Sequence, residues 1–134
     1  MPGYLLDTNH LSAALPPVSR IRDRIYQEHR RGIKFGVCIP VLSELEVGLQ
    51  SLSRAGSLRR TLKRLLSKIR LWPQQLDDAR LYGEIYLDLK QRGKSLSQAD
   101  IFLAAMAKRM NLTLLTSDRD FEALPDIKTE NWLA

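Results

Sequence analysis

The sequence predicts an α/β domain in which helices flank a mainly parallel central sheet. Short apolar segments of strand character alternate along the chain with longer segments whose apolar residues recur at helical spacing, an order that favours parallel strands joined by helical crossovers. No repeat or Gly/Ser-rich linker interrupts the 134 residues, a length typical of one compact domain. Apolar residues make up 44% of the chain, so a sizeable core needs no disulfide or structural metal.

The first predicted elements are a strand and two helices. The apolar segment Gly3–Leu6 predicts the strand, and Asp7-Thr8-Asn9 supplies residues that are favoured at helix N-termini. The short helix that follows ends before Pro16-Pro17, because proline cannot continue a helix. Ser19 caps a second helix that runs to about residue 31, and Gly32 is its stop signal.

The middle of the chain repeats the strand and helix order. Lys34–Ile39 predicts a second buried strand that is ended by Pro40. Apolar residues in Val41–Leu52 recur at helical spacing, and a further helix with a leucine-rich face begins at Gly56-Ser57. Ile69–Trp72 predicts a short strand.

The last part of the chain predicts two helices and two strands. The helices cover Gln75–Gln91, which is closed by Gly93, and Ser97–Met110. Leu112–Thr116 is a clear strand of leucine and β-branched residues. After a break at Pro125, residues 128–132 predict one edge strand.

Cysteine content and hydropathy predict a cytoplasmic protein. Cys38 is the only cysteine and lies in an apolar run, so we expect a buried structural thiol in a reducing compartment. No segment reaches the roughly 18 consecutive apolar residues of a membrane span. Tyr4-Leu5-Leu6 is too short for the apolar core of a signal peptide. We therefore expect a cytoplasmic location without membrane contact.

Two acids follow predicted strands. Asp7 comes directly after the first strand, and Asp118 follows the strand that ends at Thr116. Each taken alone is explained as a helix cap or a turn residue. Ligand sites in open α/β sheets, however, form at the carboxyl ends of the strands, so both positions are also candidate site positions.

Asp100 stands at the start of an apolar helix. The segment Ile101–Ala107 is apolar all round, which predicts a buried helix. Ser97 and Asp100 match the spacing of a capping box, with Asp where Glu or Gln is usual. An ionised carboxylate at the entry to a buried helix is costly unless it is paired or binds a metal.

A fourth acid is provided by Glu44 or Glu46. Both fall at the margins of the apolar stripe of the third helix at about 100° per residue, so periodicity does not choose between them. A solvated surface charge is the ordinary interpretation of either one. If one of them joins the other three acids at one edge of the sheet, the resulting oxygen-rich cluster suits a hard cation such as Mg²⁺ or Mn²⁺.

Other catalytic chemistries find little support. The two histidines, His10 and His29, are too few for a zinc centre or for a two-histidine ribonuclease site with a third partner. We expect His29 to be solvated and His10, although near Asp7, to have a packing or surface role. The chain has no Gly-rich phosphate loop, no recognisable Ser/His/Asp pattern and no paired CxxC motifs. Asn9 stands where a haloacid-dehalogenase-type phosphatase needs its second Asp.

Four short motifs occur in order between residues 5 and 121, and together they resemble the PIN domain, specifically that of VapC-type toxins. They are Leu5-Leu6-Asp7-Thr8-Asn9, Ser43-Glu44-Leu45 with Gly48, Ala99-Asp100 with Leu103-Ala104-Ala105, and Thr116-Ser117-Asp118 with Asp120-Phe121. Each is weak alone, whereas all four in this order are specific. The resemblance implies a single PIN domain over residues 1–134 with a three-layer α/β/α fold.

The resemblance also implies roles for individual residues. The family's catalytic acids correspond to Asp7, Glu44, Asp100 and Asp118, of which Asp7, Asp100 and Asp118 would hold Mg²⁺ or Mn²⁺. Glu44 is preferred to Glu46 because the family pattern is Glu-Leu followed by glycine three residues later.

Supporting residues and the last acid follow from the same resemblance. Thr8 and Ser117 would support the carboxylates. Many relatives carry asparagine where Asp118 stands and place their last acid directly before the phenylalanine, where this chain has Asp120. We favour Asp118 as the fourth acid, with Asp120 as a helper or helix-start residue.

The implied activity is metal-dependent endoribonuclease cleavage, performed by the toxin of a type II toxin–antitoxin module that inhibits translation or growth. The implied partners are an RNA substrate, a VapB-type antitoxin and a second copy of the chain, alone or in a larger assembly with the antitoxin. A net charge of +6 agrees with an anionic partner.

A basic block is the candidate contact for these partners. Seven basic residues and no acid lie between positions 54 and 70: Arg54, Arg59, Arg60, Lys63, Arg64, Lys68 and Arg70. A solvated helix face is the ordinary interpretation. As a block, with Arg59, Arg60, Lys63 and Arg64 at its centre, it is a candidate surface for RNA backbone, with strongly salt-dependent binding. The leucine-rich opposite face is either core or part of a groove for an antitoxin helix.

Two other functions remain as alternatives. One is a PIN module that binds RNA without cutting it, although a pure binder has no need of clustered carboxylates beside a polyanion. The other is a small Mg²⁺-dependent phosphohydrolase of the nucleotide pool. Salt-sensitive binding to RNA distinguishes a nuclease from the phosphohydrolase.

Overall fold

The central element of the fold is a five-stranded sheet. The computed structural model describes residues 3–133. Its strands are β1 (Gly3–Leu6), β2 (Lys34–Val37), β3 (Arg70–Leu71), β4 (Thr113–Leu115) and β5 (Thr129–Glu130). They lie in the order β3-β2-β1-β4-β5, and every neighbouring pair is parallel. Strands β2 and β3 lie on one side of β1, and β4 and β5 lie on its other side. The order of the strands therefore reverses between β1 and β4, where open α/β sheets form ligand sites.

Six α-helices lie within the described residues. They are α1 (Thr8–Ala13), α2 (Arg20–Arg30), α3 (Ile39–Gln50), α4 (Gly56–Leu66), α5 (Leu76–Gln91) and α6 (Gln98–Met110). A 3₁₀-helix covers Arg119–Ala123. No helix of the described chain is long and apolar enough to cross a bilayer.

The core lies on both faces of the sheet. Leu5 and Leu6 are both fully buried, as are Leu114 and Leu115. Successive residues of a strand point to opposite faces, so burial of both members of each pair means that both faces are covered. Helix α6 is buried over much of its length, as the apolar run at positions 101–107 predicts. The expected three-layer α/β/α fold is confirmed.

The boundary between β2 and α3 differs from the prediction. Strand β2 ends at Val37, Cys38 is the N-cap of α3, and Pro40 lies in the first turn of that helix. Proline is tolerated there because the first N–H groups of a helix have no partner within it, so Pro40 begins a helix rather than ending a strand. Cys38 is fully buried, and this burial raises the pKa of its thiol to about 11, which fits the expected structural role.

The short edge strands and the 3₁₀-helix also differ from expectation. Strands β3 and β5 contain two residues each, fewer than the predicted four and five. A short edge strand offers few unpaired backbone groups to other chains. The 3₁₀-helix Arg119–Ala123, of which Asp118 is the N-cap, was anticipated only as a helix start at Asp120, because five residues have no hydrophobic period long enough to detect.

Candidate metal centre at the carboxyl edge of the sheet

Asp7 is the most deeply buried acid of the candidate site. It follows β1 directly and is the N-cap of α1, and it is only 8% exposed. One carboxylate oxygen accepts a hydrogen bond from the Thr8 backbone N–H at 2.7 Å. The other accepts one from the Thr116 hydroxyl at 2.8 Å. The two bonds fix the orientation of the carboxylate.

Thr116 joins two loops of the site through one hydroxyl group. It donates to Asp7 and accepts a hydrogen bond from the Asp118 backbone N–H at 3.1 Å. The parallel register pairs Leu6 with Leu115, so the residues after them, Asp7 and Thr116, come together. In the sequence, Thr116 belongs to one of the four motifs, and no role for it was predicted. The signal that reveals it is this register, which only the folded sheet supplies.

Glu44 and Glu46 separate in the structure. A Glu44 carboxylate oxygen accepts a hydrogen bond from the Thr8 hydroxyl at 2.6 Å, which brings Glu44 beside Asp7. The carboxylate of Glu46 instead accepts two hydrogen bonds from the Arg59 guanidinium, at 2.7 and 2.9 Å. Two residues on, the helix has turned by about 200°, so only one of the two acids lies at the site.

Asp100 enters the site from the first turn of α6. Its backbone N–H donates to the hydroxyl of Ser97, the N-cap, at 3.2 Å. Partial burial, together with the negative charges of Asp7, Asp118 and Glu44, raises the pKa of the Asp100 carboxyl to about 6. The four acids therefore lie close enough to repel one another.

Asp7 experiences the same repulsion. Burial raises the pKa of its carboxyl above the ordinary value, and Glu44 and Asp118 add to the increase. The hydrogen bonds from Thr116 and Thr8 act in the opposite direction because they stabilise the ionised form.

Asp118 and Asp120 both lie beside Asp100. Each of the three acids offers one carboxylate oxygen, and these oxygens lie within 4.8 Å of one another. An Asp118 oxygen also accepts a hydrogen bond from the Asp120 backbone N–H at 2.8 Å, which caps the 3₁₀-helix. Asp120 thus belongs with the favoured Asp118 to the group around Asp100, whereas Asp7 is not a member of this group of three.

The Ser117 hydroxyl contacts Asn9. It is 3.5 Å from the Asn9 side-chain amide, which is the hydrogen-bond donor. Thr116 is buried and Ser117 is exposed. The hydroxyl that contacts Asp7 is that of Thr116, and the supporting role that the resemblance implies for Ser117 stays a prediction.

The donor chemistry of the site fits a hard divalent cation. The available ligand atoms are carboxylate oxygens, which Mg²⁺, Mn²⁺ and Ca²⁺ prefer, and no histidine or cysteine lies among them. Asp7 and Asp100 are costly to ionise without a nearby positive charge, as their raised pKa values show. A bound cation would remove that cost.

The histidines do not take part in this site. His10 is fully buried, and its Nε2 accepts a hydrogen bond from the Trp132 backbone N–H at 3.0 Å. Burial lowers the pKa of its imidazole to about 4. It therefore has a packing role rather than access to a substrate. His29 was expected to be solvated, but it is only partly exposed and lines a cleft at the opposite edge of the sheet.

The predicted basic block is divided by the fold. Arg59 is held by Glu46, which reduces its availability to another partner. Arg60, Lys63 and Arg64 are exposed on α4. The chain beyond this helix carries Lys68 and Arg70 to the amino edge of the sheet, where β3 begins.

Comparison with known proteins agrees with this architecture. A family model for the PIN domain matches residues 4–127. The chain is 26% identical to a ribonuclease VapC2 of Rickettsia felis over 133 residues, covering 96% of this chain and 97% of the relative. It is also 26% identical to a ribonuclease VapC2 of Haemophilus influenzae over 134 residues, covering 99% of this chain and all of the relative.

Solved structures show the same fold over nearly the whole chain. The VapBC2 complex of Rickettsia felis bound to a promoter DNA fragment matches with a TM-score of 0.86 and 23% identity, covering 97% of this chain and 98% of the other. FitAcB of Neisseria gonorrhoeae matches with a TM-score of 0.75 and 27% identity, covering 98% and 99%. With the family model matching 124 consecutive positions, the chain belongs to the PIN-domain family.

Proposed function

We propose that this protein is a divalent-cation-dependent endoribonuclease and the toxin of a VapBC-type toxin–antitoxin module. The observation that carries the proposal is the convergence of Asp7, Glu44, Asp100 and Asp118 at the carboxyl edge of the sheet, with Asp120 beside them. The relatives named as ribonucleases cover 96% and 99% of the chain at similar length, which supports a single functional domain over residues 1–134; we propose that it acts in the cytoplasm.

In this proposal, Asp7, Asp100 and Asp118 hold Mg²⁺, or Mn²⁺ in its place, and Asp120 is a further ligand or a helper. A bound cation of this kind lowers the pKa of a coordinated water and offsets the charge of the scissile phosphate. The chain's own contribution is orientation. Thr116 and the Thr8 backbone fix the carboxylate of Asp7, and the Thr8 hydroxyl holds Glu44 toward the same point.

Glu44 is the proposed proton acceptor for the attacking water. It is exposed and accepts one hydrogen bond, from Thr8, through one of its two oxygens. The remaining oxygen is available to accept a proton. Asp7, in contrast, is buried and engaged at both oxygens, which suits it to a fixed ligand role.

A groove next to Glu44 is the proposed binding site of an antitoxin helix. It has a volume of about 310 Å³ and an apolar lining that includes Leu15, Leu49, Leu52 and Leu58. An amphipathic helix buries its apolar face in a groove of this kind. Because Thr8 and Glu44 are among the residues that line the groove, a helix bound there would lie against the acidic site. We further propose that the toxin is a homodimer, within a larger assembly when the antitoxin is bound.

The test is cleavage of total RNA by the purified protein with Mg²⁺ or Mn²⁺. We expect discrete fragments that disappear with EDTA and in an Asp100→Asn variant. An Asp126→Asn variant, which removes an exposed acid outside the site, should cleave like the wild type. RNA that is bound but left intact would favour a binding module, and turnover of mononucleotides without RNA cleavage would favour a phosphohydrolase.

A further inference from the structure

The amino edge of the sheet carries a basic cleft that the proposed catalytic site does not use. The cleft has a volume of about 420 Å³, and its polar rim consists of His29, Lys34, Ser67, Lys68 and Arg70. No acid lines it. Its rim residues come from the last turn of α2, the first residue of β2 and the chain that joins α4 to β3, so only the fold brings them together.

The register of the sheet places the two strand cations on one face. Arg70 is paired with Gly36 across the β2–β3 ladder. Lys34 lies two residues before Gly36, and residues at this spacing along a strand share a face. Lys34 and Arg70 therefore extend from the same side of the sheet, with Lys34 at the start of β2 and Arg70, the first residue of β3, two residues further along the ladder.

These cations have no acidic partner. Among residues 3–133, the ion pairs involve Arg31, Arg59, Arg80, Arg92 and Arg109, and Lys34, Lys68 and Arg70 take part in none. Helix dipoles favour cations at helix C-termini, which accounts for His29 and Lys68. They do not account for Lys34 and Arg70, which lie on strands, where dipoles nearly cancel.

We propose that this amino-edge cleft binds the phosphate backbone of a folded RNA substrate at a distance from the cleavage site. The inference rests on the proposed ribonuclease function and adds that the substrate is a folded RNA. Such an RNA must be large enough to contact both edges of the sheet at once. A four-residue strand spans roughly 13 Å, so a folded RNA reaches from one edge to the other, whereas an oligonucleotide confined to the acidic site does not.

The first experiment compares two triple variants in RNA binding. The variant Lys34→Ala/Lys68→Ala/Arg70→Ala removes the lysine and arginine side chains of the cleft. Lys90→Ala/Lys94→Ala/Lys108→Ala removes the same charge from exposed positions elsewhere, which also lack ion pairs in the described chain. Binding of fluorescently labelled total transfer RNA is measured in EDTA over a range of KCl concentrations. Thermal unfolding checks that both variants are folded.

The cleft variant should bind transfer RNA about tenfold or more weakly at 0.1 M salt, and its slope of log affinity against log salt should fall by about 2 to 3. The control variant should change both much less. Equal losses in the two variants overturn the inference, because they reflect net charge alone. Duplex DNA of the same length is a second probe. If the cleft variant loses affinity for this DNA but not for transfer RNA, the inference is also overturned.

The second experiment separates remote binding from catalysis. The cleft variant should cleave a short oligoribonucleotide that contains only the mapped cleavage site as fast as the wild type does. Its KM for the intact folded RNA should rise while kcat stays constant. Equal loss on the oligoribonucleotide overturns the inference. If the wild type cleaves neither RNA, the proposed function itself fails, a result distinct from failure of the cleft alone.

Discussion

The carboxyl and amino edges of the sheet carry opposite charges, which differ in burial and in their bonding partners. At the carboxyl edge, Asp7 is buried and bonded at both carboxylate oxygens, and burial and neighbouring negative charges raise the pKa values of Asp7 and Asp100. At the amino edge, Lys34, Lys68 and Arg70 are exposed and make no ion pair within residues 3–133. Fixed, desolvated charges suit chemistry that requires exact placement. Mobile, solvated charges suit attraction of a polyanion.

The largest effect is expected when one charged residue from each edge is substituted and the losses of RNA cleavage are compared. Asp7→Asn should lower the rate of RNA cleavage by at least about a thousandfold, because it removes a fixed ligand. Lys68→Ala should lower kcat/KM for a folded RNA only a few-fold, because it removes one solvated contact. Single-turnover and steady-state cleavage assays measure both. Similar losses for the two substitutions would contradict the functional division between the edges.

The next prediction concerns the free energy of unfolding. It depends on the buried His10, which lies in α1 directly after the site. Its pKa of about 4 lies below the ordinary value near 6.5, so above pH 6.5 it is neutral both folded and unfolded. As the pH falls from 6.5 to 4, the unfolded chain takes up a proton that the folded chain refuses, and stability is lost. The loss should reach up to about 3 kcal/mol near pH 4 and then stay constant.

His10→Gln is the matched variant, because a Gln carbonyl oxygen can accept the hydrogen bond from the Trp132 backbone without titrating. Denaturant unfolding between pH 4 and 7 should show the stability difference shifting in favour of the variant as the pH falls. A difference that is independent of pH would contradict the prediction. Titration of the His10 imidazole by NMR gives the same answer if the variant is too unstable to analyse.

A smaller effect is expected from Thr116→Val, which keeps the side-chain shape but removes the hydroxyl. Cleavage should fall by about 10- to 100-fold, and the Mg²⁺ concentration for half-maximal rate should rise, because Asp7 loses its orienting donor. Thr116→Ser should restore most of the activity. Thr113→Val, on the strand that precedes Thr116, is the control for packing. A lower melting temperature with an unchanged Mg²⁺ requirement would indicate that Thr116 has only a structural role.

Local patterns predicted most elements because each has a local cause. The apolar run after Asp100 fixed α6 as a buried helix, and Ser19 and Ser97 accept the backbone hydrogen bonds expected of N-caps. Pro40 was misassigned because proline both ends strands and begins helices. The choice depends on the segment that follows, which packs Val41 and Leu45 into the core.

The site was predicted in part. Motif resemblance selected the four acids Asp7, Glu44, Asp100 and Asp118, and the fold brings these acids near one another. It attributed support to Ser117, whereas the orienting hydroxyl belongs to Thr116. The sequence could not choose between these two neighbours, because only the pairing of β1 with β4 identifies Thr116 as the residue that meets Asp7.

The sequence by itself determined the α/β class, the order of the elements and the acids at strand ends, because hydrophobic period and capping chemistry act over a few residues. Tertiary structure alone decided that Glu46 pairs with Arg59 while Glu44 reaches Thr8. It also divided the basic block and joined Lys68 and Arg70 to Lys34. These outcomes depend on contacts between residues 13 to 36 positions apart in the chain, which strand register and helix packing fix and local sequence does not encode.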